Sequence, residues 1–594
     1  MERSGFTFVV TVFALPLAVI GCSNGSGHMD SGAGGSAELD AGSVIDTGGV
    51  PETGKPDATV AAESGKPDGI VGPETGKPDA AVGPETGKPD VAATVEAGRR
   101  DAVSALDTAM FPDVPIGRDA LAIDVSIAVD APITGVQKAN IVFVLTDDLS
   151  WNLVQYMPHV LQMKQQGTTF SRYFVTDSLC CPSRSSIFTG KYPHNTTVFS
   201  NGGDGGGYPQ FERAGNSTQT FASVLEPAGY QTRMMGKYLN GYVPKQDQKD
   251  PGWTGWNVAG EGGYNEYAYE LNNDGVVKFY GSADASTDTY LTDVLSAIGT
   301  SFIQTAASGP FMLEAATFAP HAPYTPAPRH DGLFNVTLPR PPANPAFATA
   351  NTNPPNWLAE HPALTNAKIV TLDKDFNLRV EAVQAVDDMI AAFMGELASS
   401  HVDQRTYLFF SSDNGYHMGD HNLAAGKQTA FDHDINVPLI VMGPGVPQGV
   451  TVDKIVENID LCPTFADIAG TPPPATADGH SLLPLILGQD VADWRNVALV
   501  EHHGPDLEAM DPNDPDNEDA SVAPNSYEAI RMTSSVYVEY QDGEKEYYDL
   551  TTDPFEMTNT AASLTAAQIQ LFHNTITAIQ TCEGAASCWS AQKM

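Results

Sequence analysis

The residues of this chain best suited to chemistry fall into two acidic pairs and one cysteine-bearing turn. Asp147-Asp148 and Asp413-Asn414 together offer three carboxylates and one amide oxygen. An all-oxygen donor set suits a hard cation, Ca2+ or Mg2+, rather than zinc. If the pairs converged with no cation they would repel each other, so convergence argues for a metal. Each Asp can equally start a turn or cap the following helix, and at this level both readings stand. Between the pairs lies Ser178-Leu179-Cys180-Cys181-Pro182-Ser183-Arg184-Ser185-Ser186-Ile187-Phe188-Thr189-Gly190. Proline suits the first turn of a helix, which puts Cys180 and Cys181 at its cap, where free N–H groups and the positive dipole end favour an anion or a nucleophile. Arg184 and its serines then form a cationic turn able to hold an oxyanion. The alternative is an ordinary helix start with two half-buried cysteines.

The elements around these residues predict where they sit. Residues 140–146 are a nearly continuous apolar run ending directly at Asp147, and residues 407–412 a second run ending at Asp413. Such runs mark strands buried on both faces of a parallel sheet. Further strands are predicted at 310–318 and 437–442, with helices at 290–305 and 378–397. Strands alternating with helices define an α/β fold with a mainly parallel sheet, in which ligands bind beyond the carboxyl ends of the strands. Both acidic pairs fall at those ends.

The chain has 594 residues and a formal net charge of −42. That balance argues against nucleic acid or an anionic membrane surface as partner. Six cysteines are too few for a disulfide framework, although Cys582 and Cys588 could close a small loop in an oxidising compartment. Arg3 precedes an apolar run over residues 6–20, too short to span a bilayer and shaped like the core of a signal peptide. It ends in Ala18-Val19-Ile20-Gly21-Cys22, which resembles a bacterial lipobox whose cysteine becomes lipid-modified. Gly-Lys-Pro-Asp then recurs from Gly54, Gly65, Gly76 and Gly87, a period that glycine and proline bar from continuous helix. The expected organisation is a lipoprotein-type signal peptide over 1–22, a disordered tether over 23–137, a catalytic domain over 138–490 and a smaller C-terminal α+β subdomain over 491–594. The expected location is a bacterial membrane-anchored lipoprotein, exported and facing the periplasm or the cell surface.

From about Lys138 onward these residues resemble the sulfatase family of the alkaline phosphatase-like superfamily. The signature is Cys180-Cys181-Pro182-Ser183-Arg184, continuing to Thr189-Gly190-Lys191-Tyr192-Pro193-His194. Further matches follow in family order: Gly236-Lys237-Tyr238, Ala319-Pro320-His321-Ala322-Pro323, Asp413-Asn414-Gly415-Tyr416-His417, Gly426-Lys427 and Asp478-Gly479-His480. Tyr547-Tyr548-Asp549 through Glu556 looks like the family's C-terminal hairpin, and Gly-Lys-Tyr-Leu-Asn is most similar to the N-acetylglucosamine-6-sulfatase branch.

The resemblance implies a sulfuric ester hydrolase. Cys180 would be oxidised by a separate formylglycine-generating enzyme, and its hydrated aldehyde would supply the nucleophilic oxygen, while Cys181 stays unconverted. Asp147, Asp148, Asp413 and Asn414 match the family's ligands for Ca2+, or Mg2+, with position 180 completing the site. Arg184 would hold the formylglycine hydroxyl, Lys237 and Lys427 would contact sulfate oxygens, and His321 or Lys427 would protonate the leaving alcohol. His194, Asn240 and His417 are candidate substrate contacts; His421 and His433 read as solvated. One departure matters: many family members carry Gly-Lys-Trp-His, and here Leu239 stands where that histidine would be.

The expected substrate is a sulfated carbohydrate or an aryl sulfate. The competing readings are a phosphomonoester or phosphonate-ester hydrolase of the same superfamily, and a non-catalytic sulfoglycan-binding surface protein if Cys180 remains a thiol. The Pro/Asn-rich insertion over 338–357 could wall the substrate cleft or be an inert surface loop.

Overall fold

Asn140–Thr146 (β1) is buried at every position because both of its faces are covered. Ile141, Phe143 and Leu145 enter one hydrophobic core, and Val142 and Val144 enter another on the opposite face. A side-chain period of two therefore produces an unbroken apolar run when helices pack on both sides. The computed structural model describes residues 138–281, 289–504 and 524–594. The expected signal peptide and tether, with Cys22 and the repeats, lie outside the described residues.

Four further strands set the geometry of the site: Gln231–Gly236 (β2), Phe311–Ala316 (β3), Thr406–Ser412 (β4) and Leu439–Met442 (β5). They belong to a ten-stranded mixed sheet. Across it run Val450–Val452, Thr168–Phe170, β5, β4, β1, β3, β2, Gly255–Ala259, Tyr269–Asn273 and Val276–Tyr280. The central pairs are parallel and in register: Thr146 faces Ser412, Leu145 faces Ala316, and Gly236 faces Ala316. Parallel strands end on one edge, so Asp147, Asp413 and Lys237 leave the sheet side by side. Among the strands expected from sequence β5 departs from the parallel arrangement, pairing antiparallel with β4, and Tyr269–Asn273 and Val276–Tyr280 are antiparallel at the other edge.

Two helices differ in how well periodicity outlined them. The one expected at 290–305 is Leu291–Ala306. The one expected at 378–397 begins twelve residues earlier, as Asn366–Ser399. Thr365 caps it by accepting the Lys368 N–H at 3.2 Å. Its early turns are largely solvent-facing, with only Leu372 and Phe376 buried in them, so their apolar stripe is thin. Past the main sheet, an antiparallel sheet of Val497–His502, Tyr527–Met532, Ser535–Tyr540 and Lys545–Asp549 packs with the helix Ala566–Gln580. Cys582 and Cys588 form the expected disulfide.

One buried carboxyl interrupts the apolar sheet. Glu314 of β3 is fully buried, and neither carboxyl oxygen has a hydrogen-bond partner among the described residues. Burial pushes its pKa from an ordinary 4.5 to about 8, against the opposing pull of Arg184. The folded protein therefore holds a proton that the unfolded chain releases above 4.5. The stability associated with that proton is complete below 4.5 and is lost as pH rises to about 8. Glu314→Gln keeps the shape and removes the titration. Thermal melting should show the variant gaining on the parent by at least about 2 °C between acidic and alkaline buffer; an identical pH profile for the two proteins would contradict this.

Candidate active site

Both acidic pairs are completely buried and meet at the sheet edge. Asp148 adopts a left-handed φ of 62°, a conformation that Asp tolerates better than most residues. Its N–H donates to Asp413 Oδ1 at 3.2 Å, and the Asp413 N–H donates to Thr146 O at 3.1 Å. Asn414 Nδ2 donates to Asp148 Oδ1 at 2.6 Å, leaving the buried Asn414 Oδ1 without a partner among the described residues.

The signature stretch forms the helix Cys180–Thr189 (α1), with extended Leu179 as its N-cap. Cys180 and Cys181 are its first two residues and Pro182 its third, where a missing N–H leaves no bond unmade. Gly190 ends it at φ 73°, its N–H donating to Ser186 O at 2.8 Å. Every α1 side chain is buried. Arg184 Nε donates to Asp413 Oδ2 at 2.7 Å and Nη1 to Lys237 O at 2.8 Å, while Nη2 lies 3.8 Å from Asp147 Oδ1. Ser183 Oγ donates to the Asp413 carbonyl. Cys181 N–H donates to Asn201 Oδ1 at 2.9 Å, and burial pushes its thiol up to about 12. Burial raises Cys180 as well, against the pull of Lys237 and Lys427. Neither cysteine is a thiolate nucleophile near neutral pH.

The lysines complete the cluster. Lys427 Nζ lies 2.8 Å from Asp148 Oδ1, 3.1 Å from Cys180 Sγ and 3.3 Å from His321 Nε2. Cys180 Sγ is also 3.5 Å from Asp147 Oδ1. Lys237 pairs with Asp147 and lies 4.8 Å from the Tyr264 ring centroid. His321 Nδ1 is 3.0 Å from Ala322 O, a carbonyl that can only accept, so Nδ1 carries a hydrogen and Nε2 faces the cluster. Burial disfavours the charges of Asp147 and Asp148, yet the surrounding cations outweigh it and hold both carboxyls below their ordinary range. For Asp413, burial and the Asp147 charge win over Arg184 and Lys237, raising it to about 6.

The repulsion argument for a metal is corrected by these contacts. Lys237, Lys427 and Arg184 already match the three carboxylates in number. What favours a divalent cation is the donor chemistry: the hard carboxylate oxygens of Asp147 and Asp148 lie within 4.8 Å of each other, and the buried Oδ1 of Asn414, whose Nδ2 bonds Asp148, is in want of a partner. The tightest group among the described residues is Asp147, Asp148, Cys180 and His321, whose ligating atoms lie within 4.8 Å of one another. His321 thus joins a group that does not include Asp413, which accepts from Arg184 and from the Asn414 N–H beside it.

The three candidate substrate contacts are placed differently. Asn240 Nδ2 donates to Tyr264 OH at 3.0 Å, in a small recess that Lys237 and Phe318 also line. His417 pairs with Gly426 across a two-residue ladder beside Lys427, its Nδ1 3.0 Å from Asp434 Oδ2. A side chain at Gly426 would stand 2.9 Å from His417 Nε2, so glycine is needed for that close approach. His194 contacts the C-terminal part instead: Nδ1 is 2.8 Å from Glu501 Oε2 and Nε2 3.3 Å from Cys582 O. Leu239 is buried in the apolar core. His421 is buried against Phe431 at 3.7 Å between centroids, not solvated, and His433 is partly buried, 3.3 Å from Asp420.

Arg379, from the long Asn366–Ser399 helix, was not singled out by sequence. It is 2% exposed, and no carboxylate pairs with it among the described residues. Its guanidinium donates to the carbonyls of Asp148 and Pro320 and lies 4.3 Å from the Tyr416 ring centroid. One side chain thus braces the loops after β1, β3 and β4. No local pattern could have announced it, since its partners are distant in sequence. Misplacing reacting groups by about 1 Å can reduce rate about 100-fold. Arg379→Met should therefore lower kcat on a sulfate ester at least about 10-fold with little change in KM, and Arg379→Lys should recover part of it. A rise in KM with kcat intact would contradict this.

Comparison with known proteins agrees with this geometry. The sulfatase family profile matches residues 139–471, and an N-sulphoglucosamine sulphohydrolase C-terminal profile matches residues 419–581. The chain is 35% identical over 487 residues to N-acetylglucosamine-6-sulfatase of Homo sapiens, covering 76% of this chain and 86% of that protein. Among solved structures, one in complex with its substrate D-glucosamine-2-N,6-O-disulfate aligns with a TM-score of 0.61 at 22% identity, over 74% of this chain and 97% of that one. The phosphonate monoester hydrolase of Agrobacterium radiobacter aligns with a TM-score of 0.57 at 20% identity, over 73% of this chain and 94% of that one. At those identities the two solved structures speak for the fold alone. Family profile, the 35% identical human relative and the buried Asp-Asp-Cys-His cluster agree: the chain belongs to the sulfatase family.

Proposed function

We propose that this enzyme releases sulfate from a sulfated sugar, with a 6-O-sulfated N-acetylglucosamine unit as the favoured group. The observation that carries the reading is the convergence of Lys427, His321 and Asp147 on the one side chain at the start of α1, Cys180, with Lys237 paired to Asp147. Cations fixed in a dry site favour charge on equatorial oxygens, which is what cleavage of a tetrahedral ester requires. The relatives named N-acetylglucosamine-6-sulfatase, at 35–36% identity, support the sugar.

A hard divalent cation, Ca2+ by preference, held by Asp147, Asp148, Asp413 and Asn414 would supply further charge stabilisation, and formylglycine at position 180 would supply an oxygen nucleophile where the buried thiol is poor. The chain's own residues do the rest. Lys237 and Lys427 bind sulfate oxygens. Arg184 fixes Asp413 and the Lys237 backbone. His321 Nε2 protonates the leaving sugar oxygen, its ring held by Ala322 O. With Leu239 apolar, His321, whose ring nitrogen lies within 4.8 Å of the side chain at position 180, is the imidazole placed to hold a proton there.

Initial rates on N-acetylglucosamine 6-sulfate, an aryl sulfate and an aryl phosphate test the reading. Both sulfates should turn over faster than the phosphate, and His321→Ala should lose about 100-fold or more on the sugar sulfate. Preference for the phosphate would favour a phosphoester hydrolase, and no turnover by aldehyde-bearing protein would favour a binding protein. Arg3, the apolar run over 6–20 and Cys22 support export and lipid anchoring. Cys22→Ala should move the protein from washed membranes to the soluble fraction; retention on the membrane would contradict the anchor.

A further inference from the structure

A cavity of about 330 Å³ lies between two segments that the catalytic site does not use, the insertion over 338–357 and the turn after Lys545–Asp549. The cavity shares no lining residue with the catalytic cluster. Its walls are fastened together: Asn351 Nδ2 donates to Glu556 O at 2.8 Å, and the Thr352 N–H to Met557 O at 2.8 Å. The site is therefore preformed, and its size is that of a small-ligand pocket.

The lining limits the chemistry of the occupant. Asp420, Asp432 and Glu556 face the cavity with no Lys or Arg among the lining residues, and the one lining histidine, His433, already faces Asp420, so a sulfate, phosphate or carboxylate group is poorly matched. A metal is disfavoured, because among the described residues the one cluster tight enough for an ion is the catalytic one. An organic cation is also poorly served. Asp432 is already held by Arg531 at 2.8 and 2.9 Å, and Asp420 by His433 at 3.3 Å and Asn344 at 2.7 Å. Asn344 and Asn436 are engaged at both ends of their amides, so the surroundings that remain are the rings of Trp151 and Phe555 and the amide of Asn152. Two lining atoms have no hydrogen-bond partner among the described residues: Glu556 Oε1, on a side chain 1% exposed, and His433 Nδ1. Flat apolar rings beside one amide and two unpartnered polar atoms suit a ring with one apolar face and several hydroxyls.

We propose that this cavity is a binding site for a neutral, unsulfated sugar unit, separate from the catalytic pocket. On a glycan substrate it would hold a part of the chain that carries no sulfate. The proposal does not depend on the catalytic reading, because binding can be measured without turnover.

The test is saturation-transfer NMR on the full chain with Cys180 unconverted, using N-acetylglucosamine and glucose as probes, putrescine as the cationic probe and inorganic sulfate as the anionic one. A neutral sugar should bind with a Kd of about 1–10 mM. Phe555→Ala and Trp151→Ala should each weaken it about 10-fold or more, and Lys427→Ala, in the catalytic cluster, should leave it unchanged. Phe555 lies on a surface turn, so its variant remains informative should Trp151→Ala fail to fold. Aryl sulfate hydrolysis by the Phe555→Ala enzyme should be unaltered. Absence of sugar binding, binding lost in Lys427→Ala but kept in Phe555→Ala, or putrescine binding in place of the sugars would each overturn the assignment.

Discussion

Thr146 and Ser412 face each other across two buried parallel strands, so Asp147 and Asp413 leave the sheet at one level. The next two pairings carry that level to Ala316 and Gly236, and Lys237 follows directly. Gly236 is needed there, because it sits at φ 92° and a side chain would come within 1.7 Å of Ala316 O. The register of four strands thus gathers carboxylates and an ammonium from segments up to 266 residues apart. α1 adds Cys180 and Arg184 to the same edge, and the loop after β3 adds His321.

Such a collection is expensive to bury. Each ion taken from water costs several kcal/mol after relaxation, and paired charges in an interior often add nothing to stability. The cluster offsets this by matching Asp147, Asp148 and Asp413 with Lys237, Lys427 and Arg184 and by bonding the spare backbone groups. Its value is preorganisation: the charges that must face a sulfate group are already in place and dry. Burial also explains why the residue at the centre is unsuited to act as a thiol. The same surroundings that would stabilise an anion on the substrate leave Cys180 protonated and inert.

Much of this was legible in the sequence because it was local. Apolar runs ending in Asp147 and Asp413 marked buried strands and their carboxyl ends, and Pro182 marked the first turn of α1. The pairing of Lys237 and Lys427 with carboxylates was not legible, and the metal argument drawn from repulsion therefore had to be revised. His321 joins the tight cluster through a loop with no recurring pattern of its own. Arg379 reaches Asp148 from a helix whose periodicity reports burial and not the partner. His194 lies within the signature stretch, yet it packs against Glu501 and Cys582, a destination set by the C-terminal sheet. The early turns of the long helix were missed because Leu372 and Phe376 are the only residues buried in them, a stripe too thin to stand out among solvent-facing neighbours. Oxidation of position 180 has no signal in composition or spacing and entered only through family resemblance.

The most direct test of the account is fragment-ion mass spectrometry of the tryptic peptide 173–184, which contains both cysteines, from protein made in its native host. The account predicts an aldehyde at position 180 and an unmodified thiol at Cys181. Thiols at both positions in catalytically active protein, or an aldehyde at position 181 instead, would contradict it.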